Sequence, residues 1–212
     1  MLKYIIIFLP SFLKITILKM IGAKIGKNVY IGYSLIEANK INIGDNVYIG
    51  HLNVIWRLNE LRLENGSRIA MFNWISGARK GNFFLGKNSA ITGSHYFESS
   101  NNIVIGENTI IAGKSSSFYT HGITPTNLDE KKPIFIGNWC YIGSNCGFVP
   151  GSVISDFTFV GMGTIVTKQF IENYILIGGC PAEVKKRLHE DDIYFNRKYL
   201  PHEHHPKDYS GV

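Results

Sequence analysis

Three observations in the sequence predict an all-β solenoid, a chain wound around a three-sided prism with one short strand on each side. Across residues 134–168, IFIGNWCYIGSNCGFVPGSVISDFTFVGMGTIVTK, large apolar residues recur every six positions: Ile136, Ile142, Phe148, Ile154, Val160 and Val166. Four positions after each of the first five stands a small residue, in turn Cys140, Cys146, Ser152, Thr158 and Thr164. The strings IGKN, IGDN, LGKN, IGEN and IGN recur at wider intervals along the chain. An amphipathic helix needs a period of about 3.6, and a hairpin sheet breaks its alternation at less regular turns, so a metre of six fits neither. It fits stacked coils in which the aliphatic side chain points into the prism and the small one lies where the chain turns a corner.

Residues 1–24 precede the metre. Residues 1–21, MLKYIIIFLPSFLKITILKMI, are apolar with Lys3, Lys14 and Lys19 interspersed, and Pro10 interrupts the run. The uncharged residues 4–13 make about half of the ~20 residues a bilayer span needs, so a transmembrane helix is not expected. No small-x-small site follows, which also fits a cleaved signal peptide poorly. Two roles fit: a helix capping the open end of the stack, and an interfacial helix with its lysines toward phospholipid. Capping is the expected role, because an open solenoid end needs covering. Peripheral membrane contact through residues 1–21 stays open beside it.

Residues 25–181 carry the repeats. Coil starts fall at Ile25, Ile43, Leu63, Leu85, Ile105, Ile136 and Ile154, at intervals of 18, 20, 22, 20, 31 and 18. Eighteen is three hexapeptides, so the small excesses predict bulges at corners and the large one a loop at residues 118–133. About seven coils at the ~4.8 Å strand spacing make a column roughly 30–35 Å long. Asn in the recurring strings suits the left-handed backbone of a tight corner. The loop, FYTHGITPTNLDEKKP, is polar and projects from an otherwise regular fold, the natural place for function.

After Lys168 the metre fades. Gly178, Gly179 and Pro181 punctuate the chain, and residues 182–188 are expected to form a short basic helix over the far end of the stack. The rest of residues 182–212 carries Tyr194, Phe195, Tyr199, His202, His204 and His205. No ligand-like spacing surrounds these histidines, so the segment is read as a mobile or docking tail.

The chain has 22 basic and 16 acidic residues, a net charge of +6. That balance suits anionic small molecules or an anionic membrane surface, and is too diffuse to argue for nucleic acid. Cys140, Cys146 and Cys180 form no CxxC pair, so reduced thiols of a cytoplasmic protein are expected.

The repeat, and above all VGMGTIVTK at residues 160–168, resembles the hexapeptide-repeat acyltransferases. The resemblance covers residues 25–188 at the level of the repeat and is most specific in residues 121–187. It implies a left-handed parallel β-helix, and the hand comes from the resemblance alone, since parallel crossovers in general favour the right hand. It further implies an acetyl-CoA-dependent O-acetyltransferase, acting on a sugar hydroxyl in a bacterial surface polysaccharide or its lipid-linked precursor. The implied assembly is a homotrimer with each active site between two columns, and no metal is expected.

In that family a histidine at the root of a loop in this place is the general base, a role the resemblance carries to His121. Imidazole suits it because its unperturbed pKa of ~6.5 lies near working pH. Glu98, Glu107 and Asp129 could each orient it. His95 takes the small corner position counted from Ile91, so the coil is expected to open there, with His95, Tyr96 and Glu98 facing outward as acceptor contacts. The resemblance places CoA along a groove between columns, on Ser144, Gly161, Met162, Gly163, Thr167, Lys168 and Lys186. Two departures stand out: Tyr141, carried as an acceptor contact, replaces the Trp of many sugar acetyltransferases of the group, and Glu183 replaces a basic residue. N-acetylation of an amino sugar uses the same base chemistry, and a non-catalytic scaffold is the remaining alternative. The γ-type carbonic anhydrases share the fold but need three converging histidines, and five positions beyond His121 stands Thr126.

Overall fold

The computed structural model describes residues 6–197; Lys3, Tyr199 and the histidines at 202, 204 and 205 lie outside the described residues. Strand register follows the six-residue metre. On the first side of the prism, Ile25 pairs with Ile43, then Leu63, Leu85, Ile105, Ile136 and Ile154 follow in parallel register, and Phe170 adds a further rung. On the second side the rungs are Ile31, Ile49, Ile69, Ile91, Ile111, Ile142, Val160 and Ile177. The third side stacks Ile36, Ile55, Ile75, Phe97, Phe118, Phe148 and Val166. The column has about eight turns, one more than the metre predicts. The last turn escapes a count of six because Phe170 follows Val166 by four residues and Ile177 follows Phe170 by seven.

Apolar rungs fill the prism, and Phe97, Phe118 and Phe148 stack inside it with ring centroids 4.5 Å apart at each step. Burying three such rings in van der Waals contact is worth several kcal/mol, of the order of 1.5–3 kcal/mol per side chain. The small residues serve the corners. Cys140, Cys146, Ser152, Thr158 and Thr164 are all buried, and their position lets a side-chain oxygen in one coil accept the backbone N–H of the next. Thr109 Oγ1 accepts from Cys140 N at 2.9 Å and Ser116 Oγ from Cys146 N at 3.1 Å. Asn28, Asn46, Asn88 and Asn108 take the left-handed backbone with φ of 53–58°. In the fifth string that conformation falls on Trp139, φ 56°, while Asn138 Oδ1 accepts from Glu107 N at 2.7 Å.

The extra residues of the longer coils collect at one corner, between the third and first sides. Strands Leu35–Ile43 and Val54–Leu63 run continuously around it, and Asn59, Asn82 and Asn102 ladder up it through side-chain amides at 2.8 and 2.9 Å. The largest excess leaves the same corner as an antiparallel hairpin, His121–Thr124 with Asn127–Lys131. The expected loop is thus an ordered pair of strands.

Helix α1, Ser11–Met20, lies across the open first coil. Lys14 is buried there, with Nζ donating to the carbonyls of Ile7 at 3.1 Å and of Gly32. Leu18 joins the core, and Ser11 Oγ accepts from Ile31 N at 2.9 Å. Among the described residues no helix is long and apolar enough to cross a membrane.

The far end corrects the sequence reading. Glu183–Arg187 is a strand, not a basic helix, and runs antiparallel to Ile175–Gly178. The last parallel strand would otherwise expose a row of unpaired backbone groups; Gly179, at φ 103°, helps turn the chain back to satisfy them. Tyr194 and Phe195 then pack on the second side: Tyr194 against Phe159 at 4.6 Å and Tyr141 at 5.9 Å, with its hydroxyl donating to the Cys140 carbonyl at 2.9 Å. Arg197 covers the Tyr194 and Trp139 rings.

Candidate active site

The hairpin root is built around Glu98. Its Oε2 accepts from Thr120 N at 3.2 Å, Thr120 Oγ1 at 3.2 Å and His121 N at 3.0 Å, while Oε1 accepts from Ser100 N at 3.0 Å and from the Ser100 hydroxyl. A carboxylate that accepts this many donors is a rigid point of attachment, and it fixes the backbone from which the His121 side chain projects. Of the three carboxylates able to orient the imidazole, Asp129 faces it, with Oδ1 3.4 Å from Nε2. The pairing explains why: His121 stands opposite Lys131 in the hairpin, and a strand's side chains alternate, so Asp129 shares the Lys131 side and lies diagonal to His121.

Lys131 Nζ binds Asp129 at 2.6 Å. That contact holds the Asp129 carboxyl below the usual carboxylate range, with the charge of Lys80 acting in the same direction. A neutral His121 with Nε2–H toward Asp129 carries its lone pair on Nδ1, and the side chain is 39% exposed, open to an incoming hydroxyl. Imidazole, carboxylate and ammonium form a line on one face of the hairpin. Lys131 is the member the sequence reading did not single out; its signal is the alternation Asp129, Lys131 opposite His121.

His95 is a correction. It is 2% exposed and faces into the corner between the second and third sides, not outward. Ser34, Asn53, Asn73 and His95 form one ladder: Ser34 Oγ accepts from Asn53 N at 2.9 Å, Asn53 Oδ1 from Asn73 N at 2.9 Å, Asn73 Oδ1 from His95 N at 3.0 Å, and His95 Nδ1 from Ser116 N at 3.2 Å. Imidazole fits the corner because Asn already does; both present a planar acceptor to the next coil. Burial pushes the His95 pKa down to about 4, so it is neutral, and Nε2 lies 3.1 Å from Thr92 Oγ1. Glu98 likewise turns to the hairpin root. Tyr96 does face out, its ring 5.5 Å from that of Tyr119. Tyr141 is stacked on Phe159 at 5.2 Å beneath Tyr194, on a side away from the hairpin.

The residues expected to hold CoA fall in three places. Ser144, Gly161, Met162 and Gly163 belong to the corner between the second and third sides, where Met162 is exposed and Gly163 takes φ 75°. Thr167 is exposed on the third side, and Lys168 follows at the next corner with Nζ 5.3 Å from the Phe170 ring. Lys186 lies exposed on the antiparallel edge strand, near Glu183, which pairs with Lys185 at 3.1 Å. Within one chain the Ser144–Met162 corner and the His121 corner stand at opposite edges of the third side.

Fold and repeat together define a hexapeptide-repeat left-handed parallel β-helix. A hexapeptide-repeat-containing acetyltransferase from Vibrio cholerae shares it, with a TM-score of 0.51, 18% identity, and coverage of 89% of this chain and 87% of that one. Galactoside O-acetyltransferase of Escherichia coli is 31% identical over 98 residues, 44% of this chain and 48% of that protein. A second Escherichia coli protein, named for O-acetyl transfer in lipopolysaccharide biosynthesis, is 26% identical over 130 residues, 54% of this chain and 66% of its own length. The chain thus spans about half to two thirds of these relatives. No family model matches. Relatives and structural neighbours are hexapeptide-repeat acetyltransferases, the family that the repeats resemble.

Proposed function

We propose that this protein is an acetyl-CoA-dependent O-acetyltransferase acting on a sugar hydroxyl, in the assembly of a bacterial surface polysaccharide, as a cytoplasmic homotrimer. The observation that carries the reading is the His121–Asp129 contact at 3.4 Å on the hairpin that interrupts the coils. Neutral His121 takes the proton of the acceptor hydroxyl as that oxygen attacks the thioester carbonyl. The tetrahedral intermediate collapses with loss of the C–S bond, and the imidazolium returns its proton to the departing CoA thiolate. Base catalysis of this kind supplies ~10² to 10⁴ in rate, and backbone N–H groups of a neighbouring coil would stabilise the oxyanion. A thioester is already activated, so no acyl-enzyme is required.

The trimer reading rests on the separation described above. The resemblance carries CoA contacts to Ser144, Gly161, Met162, Gly163, Thr167, Lys168 and Lys186, and His121 stands across the third side from Ser144 and Met162. Columns set side by side around a threefold axis bring opposite edges of neighbouring chains together. Leu52, Phe72 and Trp74 on one edge and side, and Ile123 and Leu128 on the hairpin, are exposed apolar residues suited to that contact. The relatives named for galactoside and lipopolysaccharide O-acetylation support a sugar acceptor.

Thiol release from acetyl-CoA, measured against a panel of sugars, glycans and nucleotide sugars, tests the reading. His121→Ala should lower turnover at least about a hundredfold with an unchanged molar mass by light scattering. Near-normal turnover in that variant rejects the base. Absence of both thiol release and a thermal shift with acetyl-CoA favours a scaffold instead.

A further inference from the structure

We propose that the capping helix docks this protein on the surface of an anionic phospholipid bilayer. Helix α1 leaves large apolar side chains outside although it buries a lysine beside Leu18. Lys14 points inward, bonded to the Ile7 and Gly32 carbonyls, while apolar side chains dominate the outward face and the turns around it, with Thr16 and Lys19 exposed among them. Phe8 is 77% exposed, Phe12 67%, Met20 81% and Ile21 71%. Phe12, Leu13 and Met20 fall within one exposed arc of the helix, shared with Thr16 and Lys19. A cap facing only water gains nothing from this arrangement, since large aromatic and aliphatic side chains are ordinarily buried and lysine ordinarily exposed. A patch of this kind on the outside of a solenoid end marks an interaction surface.

Charge identifies the occupant. The first 36 residues contain five lysines and no Asp or Glu, the first acidic residue being Glu37. Lys19, Lys24 and Lys27 are exposed on or beside the helix. Apolar residues ringed by cations match the interface of an anionic membrane, where a helix lies in the plane with its apolar face among the acyl chains. The helix spans ten residues, so it rests on the bilayer and does not cross it. This inference stands whether or not the chain transfers acetyl groups.

The test is sedimentation of the full chain with phosphatidylcholine vesicles, with and without phosphatidylglycerol. Binding should be at least about tenfold stronger to the anionic vesicles and should weaken with salt as the charges are screened. Phe12→Ser combined with Met20→Ser should abolish it, and Lys19→Glu combined with Lys24→Glu should remove the preference for anionic lipid. All four side chains are exposed, so both variants should keep the wild-type thermal melt, which separates lost docking from lost folding. Equal binding of wild type and both variants, or none to either vesicle, overturns the proposal. So does a wild-type molar mass in solution that falls on Phe12→Ser/Met20→Ser substitution, because the patch would then seat a second copy of the chain.

Discussion

His95 and His121 are the same side chain on two kinds of backbone, and the difference shows what a regular coil does to a polar residue. In the coil, position and neighbours are repeated, so a side chain inherits the job of its counterparts one turn away. Asn53 and Asn73 accept a backbone N–H from the next coil, and His95 does the same through Nδ1. On the hairpin no counterpart exists above or below. His121 is held by its backbone on Glu98 and by Asp129 at its ring edge, and its lone pair is left for solvent or substrate. Repetition makes the first histidine structural; interruption frees the second.

The sharpest way to break this contrast is with acid. The folded His95 pKa is about 4 and the unfolded value about 6.5. Between those values the unfolded chain binds more protons than the folded one, so the contribution of His95 to stability is complete above about pH 6.5 and falls as pH drops toward 4. The loss is about 1.4 kcal/mol per pH unit, roughly 3 kcal/mol in all. Protonation of Nδ1 would set it donor to donor against Ser116 N–H. His95→Asn restores the residue of the two coils below and should flatten that part of the pH profile. Urea melts of wild type and variant at neutral and acid pH measure the difference, and parallel profiles would falsify the structural role.

The second test crosses the comparison. His95→Asn should leave thiol release within about twofold of wild type, while His121→Ala removes at least a hundredfold, equivalent to about 2.7 kcal/mol of transition-state stabilisation, and leaves the melt unchanged. A variant that moves both quantities together would mean that the two histidines are not separated as described.

The same contrast explains what could be read from sequence. All seven coil starts pair in the predicted register, because the period is imposed by burial and every rung repeats the same choice of aliphatic residue. Where burial stops deciding, sequence reading weakens. Phe170 and Ile177 are rungs at irregular steps, and Glu183–Arg187 pairs with a sheet edge although all five residues are exposed, so hydrophobic pattern had nothing to report. His95 departs from its expected place for a different reason. Its size argues against an interior corner, but the corner selects for a planar acceptor, a property visible only with Asn53 and Asn73 stacked beneath it. His121 stands out because the metre breaks there, whereas its partner among the carboxylates follows only from the hairpin register.

Glu98 joins the two regions, since it sits on the His95 coil and accepts from the hairpin root. Glu98→Gln replaces one oxygen by an amide that donates, facing N–H groups that also donate. Losing one charge-assisted acceptor costs about 1–3 kcal/mol. The effect should appear as a lower melting temperature and a reduced kcat, with KM for acetyl-CoA little changed, because Ser144, Gly161, Met162 and Gly163, the residues expected to hold most of the CoA arm, lie at the other corner. An altered KM with normal kcat would place Glu98 against the cofactor instead.

The smallest expected effect belongs to Asp129. It is an exposed carboxylate, and exposed ion pairs contribute little, so Asp129→Asn should lower kcat by only about two- to fivefold, far less than loss of the imidazole. The direction still discriminates. If Asp129 orients His121, the Asn variant can still accept Nε2–H through its amide oxygen but loses the charge that stabilises the imidazolium. Its activity should then depend less on salt than the wild type's, with KM for acetyl-CoA unchanged and Asp129→Glu giving partial rescue. If Asp129 only pairs with Lys131 at the hairpin surface, Asp129→Asn and Lys131→Ala should both leave kcat and its salt dependence as they are, and His121 would be oriented by its Glu98-bound backbone alone.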